Sequence, residues 1–388
     1  MEELNVTPWE VSGRLDEAAY SKLVQRFGAS LIDDKILEKI KSYTKDLHPY
    51  LKNRLFYAHR NLDSLLDGYK KNEKFYLYTG RGPSGKMHIG HLIPFRFTKW
   101  LQDKFDVHLL IQITDDEKFM VKEKLTKEEV ERIKEDNIIS ILSLGFKPEK
   151  THVIADYQSA KTLYYYATDV AKKVTVSTIK AVFGVNDSDN IGKLFFPSIQ
   201  IVPAFLLSAL SGERYNCLIP YAIDQDPYFR VARDVLPKLG FEKPASIMSK
   251  FIPALRGQTT KMSSSDEMTG IFLDDDEKTV KRKLMKYAFS GGRDTLEEQK
   301  KYGANIEVDF AFNSFMTLED DADKIDKIRE EYSRGEITSG EMKEIAADTI
   351  NRVLEQIRKN REKVKDDLDK FMFDEEKLRD QLKRENKG

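Results

Sequence analysis

Phe75-Tyr76-Leu77-Tyr78-Thr79-Gly80-Arg81-Gly82-Pro83-Ser84-Gly85-Lys86-Met87-His88-Ile89-Gly90-His91 is the stretch on which the fold turns. A short apolar and aromatic run leads into a Gly and Pro cluster. Apolar residues then recur at Ile89, Leu92, Ile93, Phe97, Trp100 and Leu101 in helical spacing. The pattern predicts a strand, a tight loop and a helix. An open α/β sheet holds a nucleotide at such a junction.

His88 and His91 are three residues apart, so both imidazoles share one face of the first helical turn. Gly90 between them adds no side chain and lets a planar ligand approach the backbone. The helix start offers N–H groups and a partial positive charge to phosphate. Neutral imidazoles can donate to phosphoryl oxygens as charge builds on them. Taken alone, the pair reads more readily as two partly buried histidines capping a helix.

Composition sets the bounds. With 388 residues and 40% apolar content, the chain can hold two or three domains and a substantial core. Its formal charge of -1 gives no global positive field, so any nucleic-acid contact must come from a local patch. One cysteine, Cys217, excludes an intrachain disulfide and a multi-cysteine zinc site, which fits a cytoplasmic protein. No run is long and apolar enough to span a bilayer, and Met1 to Glu10 lacks an apolar leader core.

Residues 1–70 read as an N-terminal extension, with a small hairpin around Pro8 and Trp9. Val107 to Ile113 is rich in strand formers and runs into Thr114, Asp115, Asp116, Glu117 and Lys118. Polar groups just past a buried parallel strand stand at the mouth of the sheet. Gln112 is an amide in an apolar strand and must find a partner. Glu117 suits an α-ammonium and Lys118 a carboxylate or phosphate, whereas the three consecutive acids also read as a solvated loop or a metal site. Residues from about 119 to 215 read as an inserted helical region, in which Gln200 is a second polar residue within an apolar run.

Cys217 to Ile223 repeats the strand pattern and leads into Asp224, Gln225, Asp226, Pro227 and Tyr228. Asp224 reads either as a ribose ligand or as a helix N-cap. After a further strand-like run, Ala245 to Leu255, come Lys261, Met262, Ser263, Ser264 and Ser265, a polar loop whose ammonium and hydroxyls can clamp a triphosphate. Beyond residue 266 the chain is charged and helical, with Ile345, Ile350, Val353, Leu354 and Ile357 on one face. The domain reading is therefore an extension over 1–70, a Rossmann-type unit over 71–266 with its insert, a helical domain over 267–361 and a returning C-terminal helix over 362–388.

With His88-Ile89-Gly90-His91 and Lys261-Met262-Ser263-Ser264-Ser265 both in hand, the chain resembles the class I aminoacyl-tRNA synthetases. Tyr78 to Ser84, Ile111 to Lys118, Ala222 to Tyr228 and Ala288 to Asp294 make it similar to the tryptophanyl-tRNA synthetases of archaeal and eukaryotic cytoplasmic type. The likeness runs over nearly the whole chain. It implies a doubly wound α/β Rossmann catalytic domain, a helical anticodon-binding domain and a homodimer. It also implies a two-step reaction of ATP, L-tryptophan and tRNA(Trp) with Mg²⁺.

Carried onto this sequence, the resemblance gives His88, His91 and Lys261 the phosphates and the pyrophosphate leaving group, with Arg81 and Lys118 as helpers. Tyr78 and Gln112 take the indole N–H, while Glu117, Gln200 and Gln225 take the α-ammonium and carboxylate. Gly80, Gly90, Asp224, Met262, Ser263, Ser264 and Ser265 complete the ATP site. One departure stands out: the commoner class I loop has a second lysine where Ser264 stands. No nucleophile and no protein-held metal are expected. The rival readings are a tyrosyl-tRNA synthetase, another nucleotidylyltransferase with a His-x-Gly-His helix, and a non-catalytic RNA-binding paralogue.

Overall fold

The strand Phe75–Arg81 runs through the interior of a seven-stranded sheet. The computed structural model describes residues 5–6, 11–12, 17–262 and 268–386, with the backbone alone at 5–6, 11–12 and 258–261. Across the sheet the order is Ser30–Leu31, Phe56–Arg60, Ala245–Ser249, Asn216–Ala222, Phe75–Arg81, Leu109–Ile113, Thr151–Ala155. The last five run parallel to one another, and the first two add an antiparallel edge. Helices cover both faces of the parallel strands, so Leu109, Leu110, Ile111 and Ile113 are all buried, as a near-continuous apolar run requires.

The predicted histidine helix forms with one change. A 3-10 turn, Ile89–His91, precedes the α-helix Leu92–Phe105. Its apolar face, Leu92, Ile93, Phe97 and Leu101, is buried in the larger core cluster beneath the sheet.

Three boundaries differ from the sequence reading. Residues 1–70 are more than an extension: Phe56–Arg60 pairs with Ala245–Ser249, and the helices Asp34–Thr44 and Leu62–Lys70 pack into the core. The backbone of Asn5–Val6 and Val11–Ser12 pairs as the expected hairpin, whereas Trp9 lies outside the described residues. The stretch 119–215 is not purely helical, because Thr151–Ala155 within it forms the parallel edge of the sheet. The C-terminal boundary at 361/362 falls inside one continuous helix, Ser339–Phe371. That helix keeps Ile350, Leu354 and Ile357 buried, as expected, and carries on with Val364 and Phe371 against the unit that holds the sheet. The chain then crosses the sheet edge, where Phe373 N–H donates to the Val153 carbonyl at 2.9 Å. The returning helix is Glu375–Glu385, whose Leu378 and Leu382 are buried in the second core cluster.

Candidate active site

The chain goes outward from Phe75–Arg81 first to one side and later to the other, so the strand order reverses between it and Asn216–Ala222. Their C-terminal ends diverge into a crevice at that switch point. A solvent-open cleft of about 1300 Å³ occupies it. Tyr78, Gly80, Arg81, His88, Gly90, His91, Glu117, Lys118, Gln200, Asp224, Gln225 and Met262 all line the cleft, from segments far apart in the chain. Gln112 stands directly behind Tyr78.

At one end lies the histidine turn. The two rings stack with centroids 3.5 Å apart and planes inclined by 26°. His88 N–H donates to His91 Nδ1 at 3.1 Å, so a neutral His91 ring carries its proton on Nε2, as a donor. Ile89 N–H donates to the Ile271 carbonyl and His91 N–H to the His88 carbonyl, both at 2.9 Å. The expectation that open N–H groups of this turn meet phosphate is therefore corrected for these three residues, whose N–H groups are spent within the protein. The imidazoles are donors this turn still has to offer.

The second signature is anchored on the first. Leu273 N–H donates to the Met87 carbonyl at 2.9 Å, and His88 and Phe272 form an antiparallel bridge. On the other side of residues 263–267, the buried Met262 side chain lies against Gly90. A Cβ at Gly90 would come within 2.7 Å of Met262 Cε and 3.1 Å of His88 Nδ1, which is why only glycine fits. Both flanks of the serine-rich segment thus rest on the histidine turn. The side chain of Lys261, and Ser263, Ser264 and Ser265, lie outside the described residues.

Two cations flank this end. Lys118 Nζ is 2.8 Å from the buried Glu117 carboxylate and passes beneath Gly82, where a Cβ would lie 1.9 Å from Lys118 Cε. Arg81 is nearly covered. Its Nε donates to Asn137 Oδ1, and burial pulls its guanidinium down to about 9, with the nearby Asp136 acting in the opposite sense. Asn137 in turn donates to the Gly85 carbonyl at 3.3 Å, so Arg81 and Asn137 brace the glycine-rich loop from behind.

At the other end is a polar cluster in an apolar wall. The Tyr78 hydroxyl lies 2.5 Å from Gln112 Oε1 and 2.9 Å from the Gln200 carbonyl, and it has one hydrogen for both. Burial holds its phenol well above the ordinary range, so it stays a neutral donor. Glu117 also accepts from the Thr114 hydroxyl at 3.0 Å, which fixes the carboxylate at the cleft wall.

The acids at 115 to 117 part company. Asp115 accepts from Tyr157 N–H at 3.0 Å, Asp116 pairs with Asp156, and Glu117 turns to Thr114 and Lys118. Three carboxylates aimed at separate partners do not form a chelate, so the metal-site alternative for this run is set aside. Asp224 sits inside the 3-10 turn Ile223–Gln225, and the residue at the N-cap of the following helix Asp226–Val235 is Gln225. The capping alternative for Asp224 thus falls away, and its buried carboxylate lies at the cleft.

Sequence reasoning assigned no role to Tyr228, Ser249 or Asp156. The hydroxyls of Tyr228 and Ser249 are buried at the cleft without a hydrogen-bond partner among the described residues, as groups awaiting a ligand would be. Tyr228 was visible in the Asp224 to Tyr228 stretch. Asp156 followed a strand that sequence reasoning had not recognised.

The chain matches the family model for class I tRNA synthetases (W and Y) over residues 70–355. It is 46% identical to the tryptophan–tRNA ligase of Saccharolobus solfataricus over 374 residues, covering 96% of each chain. It is 43% identical to the cytoplasmic tryptophan–tRNA ligase of Saccharomyces cerevisiae, covering 96% of this chain and 89% of that one. A solved tryptophanyl-tRNA synthetase from Encephalitozoon cuniculi, bound to tryptophan, superposes with a TM-score of 0.85 at 37% identity, covering 91% of this chain and 97% of that one.

Proposed function

This chain belongs to the class I tRNA synthetases of the tryptophan and tyrosine type, and from that membership we propose that it is a tryptophan–tRNA ligase. It joins L-tryptophan to ATP as tryptophanyl-adenylate, with release of pyrophosphate, and then passes tryptophan to the 3′ adenosine of tRNA(Trp). The observation that carries this reading is the anchoring of both flanks of residues 263–267 on the histidine turn, at one end of the cleft that also holds Tyr78, Glu117 and Gln200. Relatives named for tryptophan, from archaea to yeast, favour tryptophan over tyrosine and over a non-catalytic role.

In the first step a carboxylate oxygen of tryptophan attacks the α-phosphorus, and the bond to the bridging oxygen breaks. Charge shifts onto the leaving pyrophosphate. His91, as an Nε2 donor, and His88 meet the phosphoryl oxygens, and Lys261 meets the leaving group. Lys118, which lines the same cleft, makes up for the lysine absent at Ser264. Mg²⁺ would enter with ATP as part of the substrate and would supply positive charge to its phosphates; among the described residues no carboxylate cluster would hold it apart from ATP. Asp224 takes a ribose hydroxyl. Glu117 and Gln200, with Gln225, hold the ammonium and carboxylate, and orientation supplies the rest of the acceleration.

In the second step the 3′-terminal adenosine hydroxyl attacks the acyl carbon and AMP departs. The helical region beyond residue 267 takes the anticodon arm. There Phe289 and Tyr302 are exposed, Lys301 lies over the Tyr302 ring and Lys286 over the Tyr287 ring, a combination suited to stacked bases and phosphates. Tyr164, Tyr165, Val176 and Ile191 are exposed apolar side chains on the helices of the 119–215 stretch, to which we assign a homodimer contact. No helix among the described residues is long and apolar enough to cross a membrane. The cytoplasmic ligase of yeast among the relatives supports the cytoplasm as the working compartment.

Amino-acid-dependent exchange of pyrophosphate into ATP tests the assignment. Exchange is expected with tryptophan and not with tyrosine; the reverse would make the chain a tyrosine enzyme. Gln112→Ala is expected to raise KM for tryptophan about tenfold, the worth of one hydrogen bond, and to leave KM for ATP unchanged. Equal losses for both substrates would make Gln112 a purely structural residue.

A further inference from the structure

Behind the Tyr78–Gln112 pair stands an acid that no sequence signature marks. Asp156 follows the strand Thr151–Ala155, whose parallel register sets Ile154 beside Gln112. Asp156 N–H donates to the Ile113 carbonyl at 3.1 Å, which turns its side chain back toward Gln112. Gln112 Nε2 lies 2.9 Å from Asp156 Oδ1 and 3.1 Å from Oδ2. All three side chains are almost completely buried.

We propose that Asp156 is a positioning residue for substrate choice: by holding the Gln112 amide nitrogen, it fixes the amide oxygen toward Tyr78 and the cleft.

An amide in an apolar strand has two orientations of nearly equal shape, related by a half-turn about its last torsion. One presents oxygen to the cleft and the other presents N–H₂. An acid with both oxygens turned to the far side accepts from nitrogen and disfavours oxygen there, so it selects the first. With the oxygen facing the cleft, the single Tyr78 hydrogen goes to Gln112 or to the Gln200 carbonyl, and the cluster shows lone pairs to the ligand. It therefore selects a ligand that donates, as an indole N–H does, and penalises an isosteric ring that cannot. Asp116 hydrogen-bonds Asp156 from the next helix, and burial beside these neighbouring acids pushes Asp116 up to about 6 and Asp156 well above the carboxylate range. Both Asp156 oxygens lie within reach of Gln112 Nε2, so an oxygen is left to accept from the amide whichever of the two acids carries a proton.

The inference rests on the cleft being a tryptophan site, and the test separates the two. The probes are tryptophan and its 3-benzothienyl analogue, in which sulfur replaces the indole N–H, each driving pyrophosphate exchange by the full-length protein. The unsubstituted protein is expected to prefer tryptophan in kcat/KM. In Asp156→Asn, whose own amide can present either face to Gln112, that preference is expected to fall at least about tenfold while KM for ATP stays within about twofold. Should Asp156→Asn fail to fold, Asp156→Ala is read the same way. A preference kept at its original value while both substrates weaken equally, in whichever variant folds, makes Asp156 merely structural and overturns the inference. So does an unsubstituted protein that activates both amino acids equally well. No exchange with tryptophan at all would overturn the underlying functional reading instead.

Discussion

Lys261→Ala is expected to slow tryptophan-dependent pyrophosphate exchange by about 10²–10³-fold while leaving tryptophan affinity unchanged. The magnitude is that of removing one preorganised charge from a developing anion in a water-poor site. The backbone of Lys261 ends the strand Gly257–Lys261, one residue before Met262 packs against Gly90, so its attachment point lies beside the histidine turn. With serine at 264, no second ammonium in this segment shares the load. Tryptophan is bound at the Tyr78 and Gln112 end, which Lys261 does not touch in this account. Exchange kinetics and equilibrium binding of tryptophan, measured on one preparation, check both halves. An unchanged rate, or an affinity loss matching the rate loss, would remove this lysine from the chemistry.

Asp226→Ala is expected to cost about 3–5 kcal/mol, the usual consequence of leaving a buried charge without its partner. Asp226 is fully buried and accepts from Arg60 Nε at 3.1 Å, Arg60 Nη2 at 3.0 Å and the Tyr221 hydroxyl at 2.9 Å. Arg60 also donates to the Gly28 carbonyl at 2.9 Å, which ties the end of the helix Glu17–Phe27 to the edge of the sheet. The same carboxylate begins the helix Asp226–Val235 and holds in place the turn that delivers Asp224 and Gln225 to the cleft. At an unfolding entropy of about 2.1 cal/mol/K per residue, such a loss lowers the thermal midpoint by roughly 5 °C. Arg60→Met with Asp226→Leu is expected to recover part of it, because the buried Arg60 charge is gone while Arg230, which also pairs with Asp226 at 3.3 Å, is partly open to water. Melting within about 1 °C of the unsubstituted protein would show that the pair carries no net stability.

The parts of the site legible in the sequence were those whose meaning is local. His88 and His91 lie within one turn, and the loop before them is spelled by glycine and proline. Gln112 announced itself as an amide among Leu109, Leu110, Ile111 and Ile113. What escaped depended on pairing over long separations. Asp156 is 44 residues from Gln112, and only the parallel register of two strands brings them together. Thr151–Ala155 is five residues long between helical stretches, too short for its alternation to stand out. Phe56–Arg60 ends in His59 and Arg60, whose value as a sheet edge comes from Asp226 far along the chain. The helix Ser339–Phe371 ran past the expected boundary because its charges are placed to support it. Glu355 with Lys359, Glu362 with Lys365 and Asp367 with Lys370 form pairs at helical spacing, and Ile357, Val364 and Phe371 keep one face buried.

His88 to His91 and the segment from Lys261, some 170 residues apart in sequence, are expected to meet at one triphosphate. A structure of the full chain with tryptophan and a non-hydrolysable ATP analogue tests it most directly. The β- and γ-phosphates are expected between the His88 and His91 rings and the Lys261 ammonium, with the α-phosphorus facing the tryptophan carboxylate. A triphosphate bound away from the histidine turn, with Lys261 turned to solvent, would contradict the account.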